Sequence, residues 1–358
     1  MEYVEETKTL LPSGTPQSSE SSEVSEMDLH PYDYAEAPLP LYKKMLLWIS
    51  LPLVLVLAVI RLVMVLLLAV MLVLLCTIFG RCRWIIQPAV SIIGRSFLLC
   101  FGVWPGLLRV TKPTKPEPSP MIVLAPHVGA LEAFVMMYDG MPRAIAMETY
   151  ANLPVVSSIF RASGGLSVPV PASNDQIKKG RGPSDAKVMP APLDEKSSAP
   201  SAEKPSTLAV RHAIAAHKKS FDPTDPAKSI PLCILPEGTT HSGRSLIKFF
   251  SGAFEGGGSV QPVLLSYPYH HFHAAFFGSG MGDHVLRLLI NPYQRVEVTY
   301  LPVYHPSAEE NENAELYAEN VRLAMAATAG LTPSAYGAKE LRKEYVEKRT
   351  KTKAKAGE

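Results

Sequence analysis

The segment MIVLAPHVGALEAF, Met121 to Phe134, sets an imidazole and a carboxylate five positions apart just after an apolar run. A strand would end near Ala125, which leaves His127 on the connecting loop. A helix beginning near Gly129 would carry Glu132 in its first turn. A carboxylate accepting from one ring nitrogen fixes the tautomer and leaves the other nitrogen as a base. The same residues could serve the fold alone, His127 by bonding locally and Glu132 by favouring a helix N-terminus. Spacing by itself leaves both readings open.

A second segment, ILPEGTTHSGRSLIKFFSGAF, Ile234 to Phe254, runs from an apolar stretch into Pro236-Glu237-Gly238-Thr239-Thr240. Gly238 permits close backbone approach. The hydroxyls of Thr239 and Thr240, with exposed N–H groups, suit phosphate oxygens, and Arg244 adds a planar cationic fork. Isolated Gly-Thr turns of this kind are common without any ligand. No G-x-S-x-G nucleophile elbow occurs anywhere in the chain. His270, His271 and His273 lie close together, but a metal site needs a further ligand of matched geometry, so no metal is expected. The cysteines Cys76, Cys82, Cys100 and Cys233 show neither metal spacing nor a disulfide framework.

The elements that would position these residues follow from periodicity. From about residue 119, short apolar runs (MIVLA, AIAM, LSVPV, IPLCIL, QPVLLSY, RVEVTYLPV) alternate with helix-like stretches (LEAFVMMYDG, LPVVSSIFRASGG, TLAVRHAIAAHKK, NAELYAENVRLAMAATAG). Such alternation predicts an α/β domain with a mostly parallel or mixed sheet flanked by helices. The stretch 171–206 breaks the pattern with Pro, Ser, Ala and Lys and reads as a disordered insertion.

Ahead of this domain, Met45 to Phe79 is almost wholly apolar and holds one charge, Arg61. As a single helix it would run to roughly 50 Å, against a hydrocarbon core of about 30 Å. It must tilt, kink or fold back, and its basic flanks do not orient it. A hairpin and a single span both stay open, as do a snorkelling Arg61 and one that meets a partner. A second apolar stretch, Ile85 to Phe101, carries Gln87, Ser91 and Arg95 on one stripe. It reads either as an interfacial helix in the headgroup plane or as a helix packed on the soluble domain. The net charge of +2 over 358 residues gives no reason to expect a nucleic-acid partner. Charge is nevertheless uneven, acidic at the start and basic in EKRTKTKAKAGE, where anionic lipid is a natural neighbour. The absence of an N-x-Ser/Thr site agrees with a catalytic part facing the cytosol, and Glu6 with Leu10-Leu11 has the spacing of an acidic dileucine sorting signal.

Together the motifs resemble the glycerolipid acyltransferase family, which acylates glycerol phosphates and lysophospholipids, and within it the lysophosphatidylcholine acyltransferase branch. The resemblance rests on His127 and Glu132, on Pro236 to Thr239 with Gly252 to Phe254, on Val260 to Pro268, on Leu301 to Ser307 and on Leu316 to Ala326. It spans about residues 84 to 335. There are three departures from the pattern: Glu132 stands where aspartate is usual, Pro171 and Ala172 where an arginine is usual, and Phe250 where lysine is usual.

The resemblance implies His127 as general base oriented by Glu132, in the manner of the orienting acid of a triad. It implies Glu237, Gly238, Thr239, Thr240 and Arg244 as residues of the acceptor's phosphate or headgroup site, with Glu237 a structural and positioning residue rather than a second base. It also implies acyl-CoA as co-substrate, no cofactor, and the bilayer and a lysophospholipid as partners, on an endoplasmic reticulum or related membrane; the Glu6-Leu10-Leu11 spacing points instead to an endosomal route. The alternatives are a catalytically inactive membrane adaptor, or an enzyme acting on glycerol 3-phosphate or lysophosphatidate. The expected organisation is an acidic disordered tail (1–40), membrane-embedded helices (41–104), an acyltransferase domain (105–337) and a basic tail (338–358).

Overall fold

The computed structural model describes residues 31, 41–80, 82–147, 154–168, 205–226, 228–268, 273, 275–276 and 281–344. The expected tails other than Pro31 and 338–344, the insertion up to residue 204, the dileucine signal, His270 and His271 lie outside these residues. Seven strands form one sheet: β1 (Leu108–Thr111), β2 (Met121–Ala125), β3 (Arg143–Met147), β4 (Leu166–Val168), β5 (Leu232–Ile234), β7 (Gln261–Ser266) and β8 (Val296–Tyr300). A separate parallel pair joins β6 (Ser245–Leu246) to β9 (Thr332–Pro333). The order across the large sheet is β1-β8-β7-β2-β5-β3-β4, and only β7 against β8 is antiparallel. This is the mixed, mostly parallel sheet that the alternation predicts.

Helices cover both faces, which is why β2 is an unbroken apolar run rather than an alternating one. All five of its residues are buried. Ile122 and Leu124 point into a cluster with Val263, Leu265, Val296 and Val298, under α1 (Leu41–Phe79), α2 (Arg83–Cys100), α3 (Leu131–Tyr138) and, later in the chain, α6 (Met281–Ile290). α4 (Pro154–Ser163) packs on β3 and on α1. Met121, Val123 and Ala125 point the other way, into a cluster with Ile214 of α5 (Pro205–Ser220) and Tyr317, Val321 and Met325 of α8 (Ala314–Ala329). The short α7 (Ala308–Glu312) precedes α8 and starts on a capping box made by Ser307 and Glu310. Pro205 opens α5 at the first-turn position where proline is tolerated, so the helix begins just before the end of the expected insertion.

The apolar N-terminal stretch is one helix, 39 residues long and so about 58 Å, running through Pro52. Its segment Ile49–Phe79 is long and apolar enough to cross a membrane. From its middle onward α1 also belongs to the core: Ala58, Leu68, Leu72 and Cys76 are buried in the first cluster, while Leu66, Leu67, Val70, Leu74 and Ile78 stay exposed. Arg61 meets a partner. Its guanidinium donates to the carbonyls of Leu289 (2.8 Å), Asn291 (2.7 Å) and Pro292 (3.1 Å). Two of these lie just past the last turn of α6 and one within it, where a helix leaves carbonyls without intrahelical donors.

The polar stripe of α2 faces the α/β domain and not a headgroup layer. Gln87 donates to the carbonyl of Gly140 (3.4 Å), Ser91 donates to that of Tyr138, and Arg95 lies over the Tyr138 ring while donating to Val103 (3.3 Å). The stripe satisfies the C-terminal end of α3 and its following turn. Of the two readings open for this helix, the packed one describes the structure. Gly94 makes the contact close: a Cβ there would fall 2.8 Å from the Tyr138 nitrogen.

Candidate active site

β2 is central in the sheet and ends at Ala125, so the loop 126–130 emerges at the carboxyl edge, beside the end of β7. Glu132 lies in the first turn of α3 and its side chain folds back over that loop. One carboxylate oxygen accepts the N–H groups of Val128 (2.5 Å) and Gly129 (2.8 Å). The other lies 2.9 Å from His127 Nδ1. The carboxylate can only accept, so in the neutral ring the proton sits on Nδ1 facing it and Nε2 keeps its lone pair. Glu132 therefore joins the two readings left open by the sequence, bracing the loop backbone with one oxygen and orienting the imidazole with the other. The His127 side chain keeps 25% of its surface exposed against 3% for Glu132, so the ring is the open end of the pair.

Burial alone would lower the His127 pKa. The charge and hydrogen bond of Glu132, with the charge of Glu237 behind, outweigh it and hold the value above that of an ordinary histidine. Tyr267, just past β7, places its phenol in the same environment. Burial first and the Glu132 charge second push its pKa well up, so the phenol stays protonated.

The second motif follows β5 and wraps the His127 loop from the other side. Glu237 is fully buried. Its Oε2 accepts the His127 N–H (2.5 Å) and its Oε1 accepts the Ile247 N–H (3.1 Å). The headgroup contact implied for Glu237 by the resemblance is thus not open to it: the carboxylate is turned inward and grips the peptide of His127. Gly238 is exposed, with φ +63°, and a Cβ there would strike the Phe250 ring at 2.3 Å. The residue standing where lysine is usual thus packs its ring on the glycine turn. Thr239 is half-buried at the turn; Thr240 donates its hydroxyl to the carbonyl of Phe276, which leaves only lone pairs for a ligand. Gly243, with φ +74°, lets the loop lie on Val128, where a Cβ would meet the isopropyl group at 2.7 Å. Arg244 is half-buried next to His273, whose pKa it lowers after burial has done so. The C-terminal segment adds Arg342, which donates to the Gly238 carbonyl (2.9 Å).

Several contributors carried no signal in the sequence. His284 of α6 is buried, and burial followed by the Arg287 charge pushes its pKa down to about 4. It is neutral, and its Nε2 accepts the Ala130 N–H (3.3 Å) at the start of α3. Phe276 donates its N–H to the Val128 carbonyl (2.7 Å). His273, one of the clustered histidines of the sequence, does carry such a signal; it accepts from Ala275 N–H (3.0 Å) and, at a pKa of about 4, is another neutral brace. Among the described residues no group of three or more His, Cys, Asp or Glu could hold a metal. Only the spacing of Glu237 and His241, one helical turn apart in number, could have hinted that these two meet.

No family model matches the chain. Among individual proteins, it is 30% identical over 229 residues to the lysophospholipid acyltransferase LPEAT1 of Arabidopsis thaliana, covering 64% of this chain and 50% of that protein. It is 28% identical over 251 residues to the lysophosphatidylcholine acyltransferase of Drosophila melanogaster (68% and 39% covered), and 27% over 253 residues to human LPCAT4 (67% and 40%). The chain thus spans half or less of the length of these relatives. Among solved structures, the 1-acyl-sn-glycerophosphate acyltransferase PlsC of Thermotoga maritima aligns over 74% of this chain and 98% of its own, at 14% identity and a TM-score of 0.39, too low for its geometry to be carried over. Over roughly two thirds of its residues, the chain is similar to proteins named lysophospholipid or lysophosphatidylcholine acyltransferases.

Proposed function

We propose that the chain is a membrane-associated acyltransferase that moves an acyl group from acyl-CoA to the free hydroxyl of a lysophospholipid. The observation that carries the reading is the 2.9 Å contact between His127 Nδ1 and Glu132 Oε2, which leaves Nε2 on the open side of a sheet edge. Nε2 takes the hydroxyl proton as the acceptor oxygen bonds to the thioester carbonyl carbon. The C–S bond then breaks, and the departing thiolate recovers the proton from the imidazolium. Glu132 holds the ring in the right tautomer and stabilises its positive charge. The Gly238–Arg244 turn lies on the same loop cluster, where exposed Gly238 and half-buried Thr239 and Arg244 offer a surface and a cation to a phosphate-bearing headgroup. The exposed apolar face of α1 keeps the site beside a bilayer, the reservoir of acceptors whose acyl chains remain in lipid.

The test uses membranes carrying the full chain, labelled acyl-CoA, and a panel of lysophospholipids with glycerol 3-phosphate and lysophosphatidate. His127→Ala is expected to lower incorporation by about 10²–10⁴-fold, the range of a general base. Equal incorporation by wild type and variant would overturn the mechanism. Incorporation confined to glycerol 3-phosphate or lysophosphatidate would replace the acceptor, and wild-type membranes inert toward the whole panel would support an adaptor.

A further inference from the structure

His241 has no place in the mechanism above, yet its ring lies wholly inside the protein beneath the loop that carries His127. Its side chain is 0% exposed, as is that of Glu237, and its Nε2 lies 3.0 Å from Glu237 Oε2. The N–H of Gly243 donates to His241 Nδ1 (3.2 Å), which therefore accepts, so the ring proton sits on Nε2 and faces the carboxylate. The N–Hε2 is off the line of a good hydrogen bond, and its effect on the carboxylate is electrostatic. Glu237 is a buried negative charge, and such a charge is stable only where donors surround it. Its two hydrogen-bond donors are main-chain N–H groups, of His127 and Ile247; the imidazole adds the positive end of its N–H dipole at 3.0 Å, without a hydrogen bond. The main chain of His241 grips the same residue again, its N–H donating to the His127 carbonyl (3.0 Å). The peptide groups on both sides of His127 are thus held by the turn 237–241.

Resting on the reading of His127 as the base, we infer that His241 is a positioning residue. Its neutral imidazole keeps the Glu237 carboxylate in place, and that carboxylate holds the peptide of His127 at the height from which the ring reaches the acceptor hydroxyl. The demand on the ring is specific: an uncharged donor at the Nε2 position. A glutamine amide nitrogen reaches that position, an asparagine amide stops short at that of Nδ1, and leucine fills the volume without a donor.

The experiment compares full-length wild type, His241→Leu, His241→Asn and His241→Gln in detergent–phospholipid micelles by two readouts. The first is steady-state acyl transfer. His241→Leu and His241→Asn are expected to lose about 10-fold or more in kcat with KM for both substrates within about twofold, since small displacements of a catalytic group are costly. His241→Gln restores most of the rate. The second is amide hydrogen exchange of the peptide containing His127, which does not depend on turnover. It is faster in the Leu and Asn variants and returns toward the wild-type rate in Gln. A merely structural histidine predicts a different result: a lowered melting temperature, faster exchange across the whole domain and unchanged kcat per folded molecule. That outcome, or a Gln variant as impaired as Leu, overturns the inference. Should the Leu variant not fold, the Asn and Gln pair decides on the same criteria. Local exchange effects in a protein that transfers no acyl group would keep the brace and discard the reaction; active wild type with unaltered Leu variant would do the reverse.

Discussion

Two buried glutamates flank His127, and they do opposite things. Glu132 is local, five residues away, and addresses the side chain through a 2.9 Å contact with Nδ1. Glu237 is remote, 110 residues away, and addresses the main chain through a 2.5 Å bond from the His127 N–H. One sets which nitrogen is basic and how basic it is; the other sets where the ring stands. An acid of a functional motif therefore need not face a ligand. A carboxylate sealed from solvent and filled with backbone donors has no capacity left for a headgroup.

Removing the imaged base itself should have the largest effect, the His127→Ala loss described above. Glu132→Gln comes next. The amide can still accept from the loop N–H groups through its oxygen, but it cannot offer a second acceptor to Nδ1–H, so both tautomer and charge stabilisation suffer. A fall of about 10²-fold or more in kcat is expected, read from initial rates at saturating substrate.

Glu237→Gln should sharpen the contrast. Its single oxygen can serve the His127 N–H or the Ile247 N–H, leaving a buried donor unpaired at a cost of about 1–3 kcal/mol. The expected signature is a lower melting temperature with a smaller loss of kcat than for Glu132→Gln. A Glu237→Gln protein of unchanged stability with a raised KM for the phospholipid acceptor would return Glu237 to the ligand side. Gly243→Val probes the contact between the two regions directly, because φ +74° and a Cβ 2.7 Å from Val128 both oppose a side chain. Loss of folded yield is the expected result, measured by size-exclusion chromatography. Arg61→Leu should have the smallest effect on chemistry. It strips donors from three carbonyls at the end of α6, and faster proteolysis near residues 289–292 should outweigh any change in kcat.

What could be read in the sequence follows the range of the interaction. The strands β2, β7 and β8 were legible because a covered sheet demands apolar runs, and α3, α5 and α8 because their apolar residues repeat at helical spacing. The His127–Glu132 pair was legible because a first-turn residue can fold back onto the loop before it. β1, a four-residue edge strand with an alternating half-exposed pattern, and the two-residue β6 and β9 are too short to carry a period. α6 was missed because its boundary lies beside a Gly-rich run; its partner Arg61 is 228 residues from Leu289. The stripe on α2 was seen, but amphipathicity reports a polar face and not what that face meets. A positioning role for Glu237 was implied by the resemblance, but its partners, the His127 and Ile247 N–H groups, were not legible, because burial against a distant loop leaves no trace in local spacing.

Activity and stability should respond to pH in opposite senses around His127. Its folded pKa is raised, so the stabilising ion pair is complete below the unfolded value and lost as pH rises through the folded one. The base, in contrast, works only after losing its proton, so kcat rises over the same window. Measuring kcat against pH for wild type and Glu132→Gln tests the central claim most directly. The expected result is a wild-type acid limb above that of an ordinary histidine and a limb displaced to lower pH in Glu132→Gln, where the carboxylate that raises the pKa is gone. An acid limb at the same pH in both proteins would contradict it.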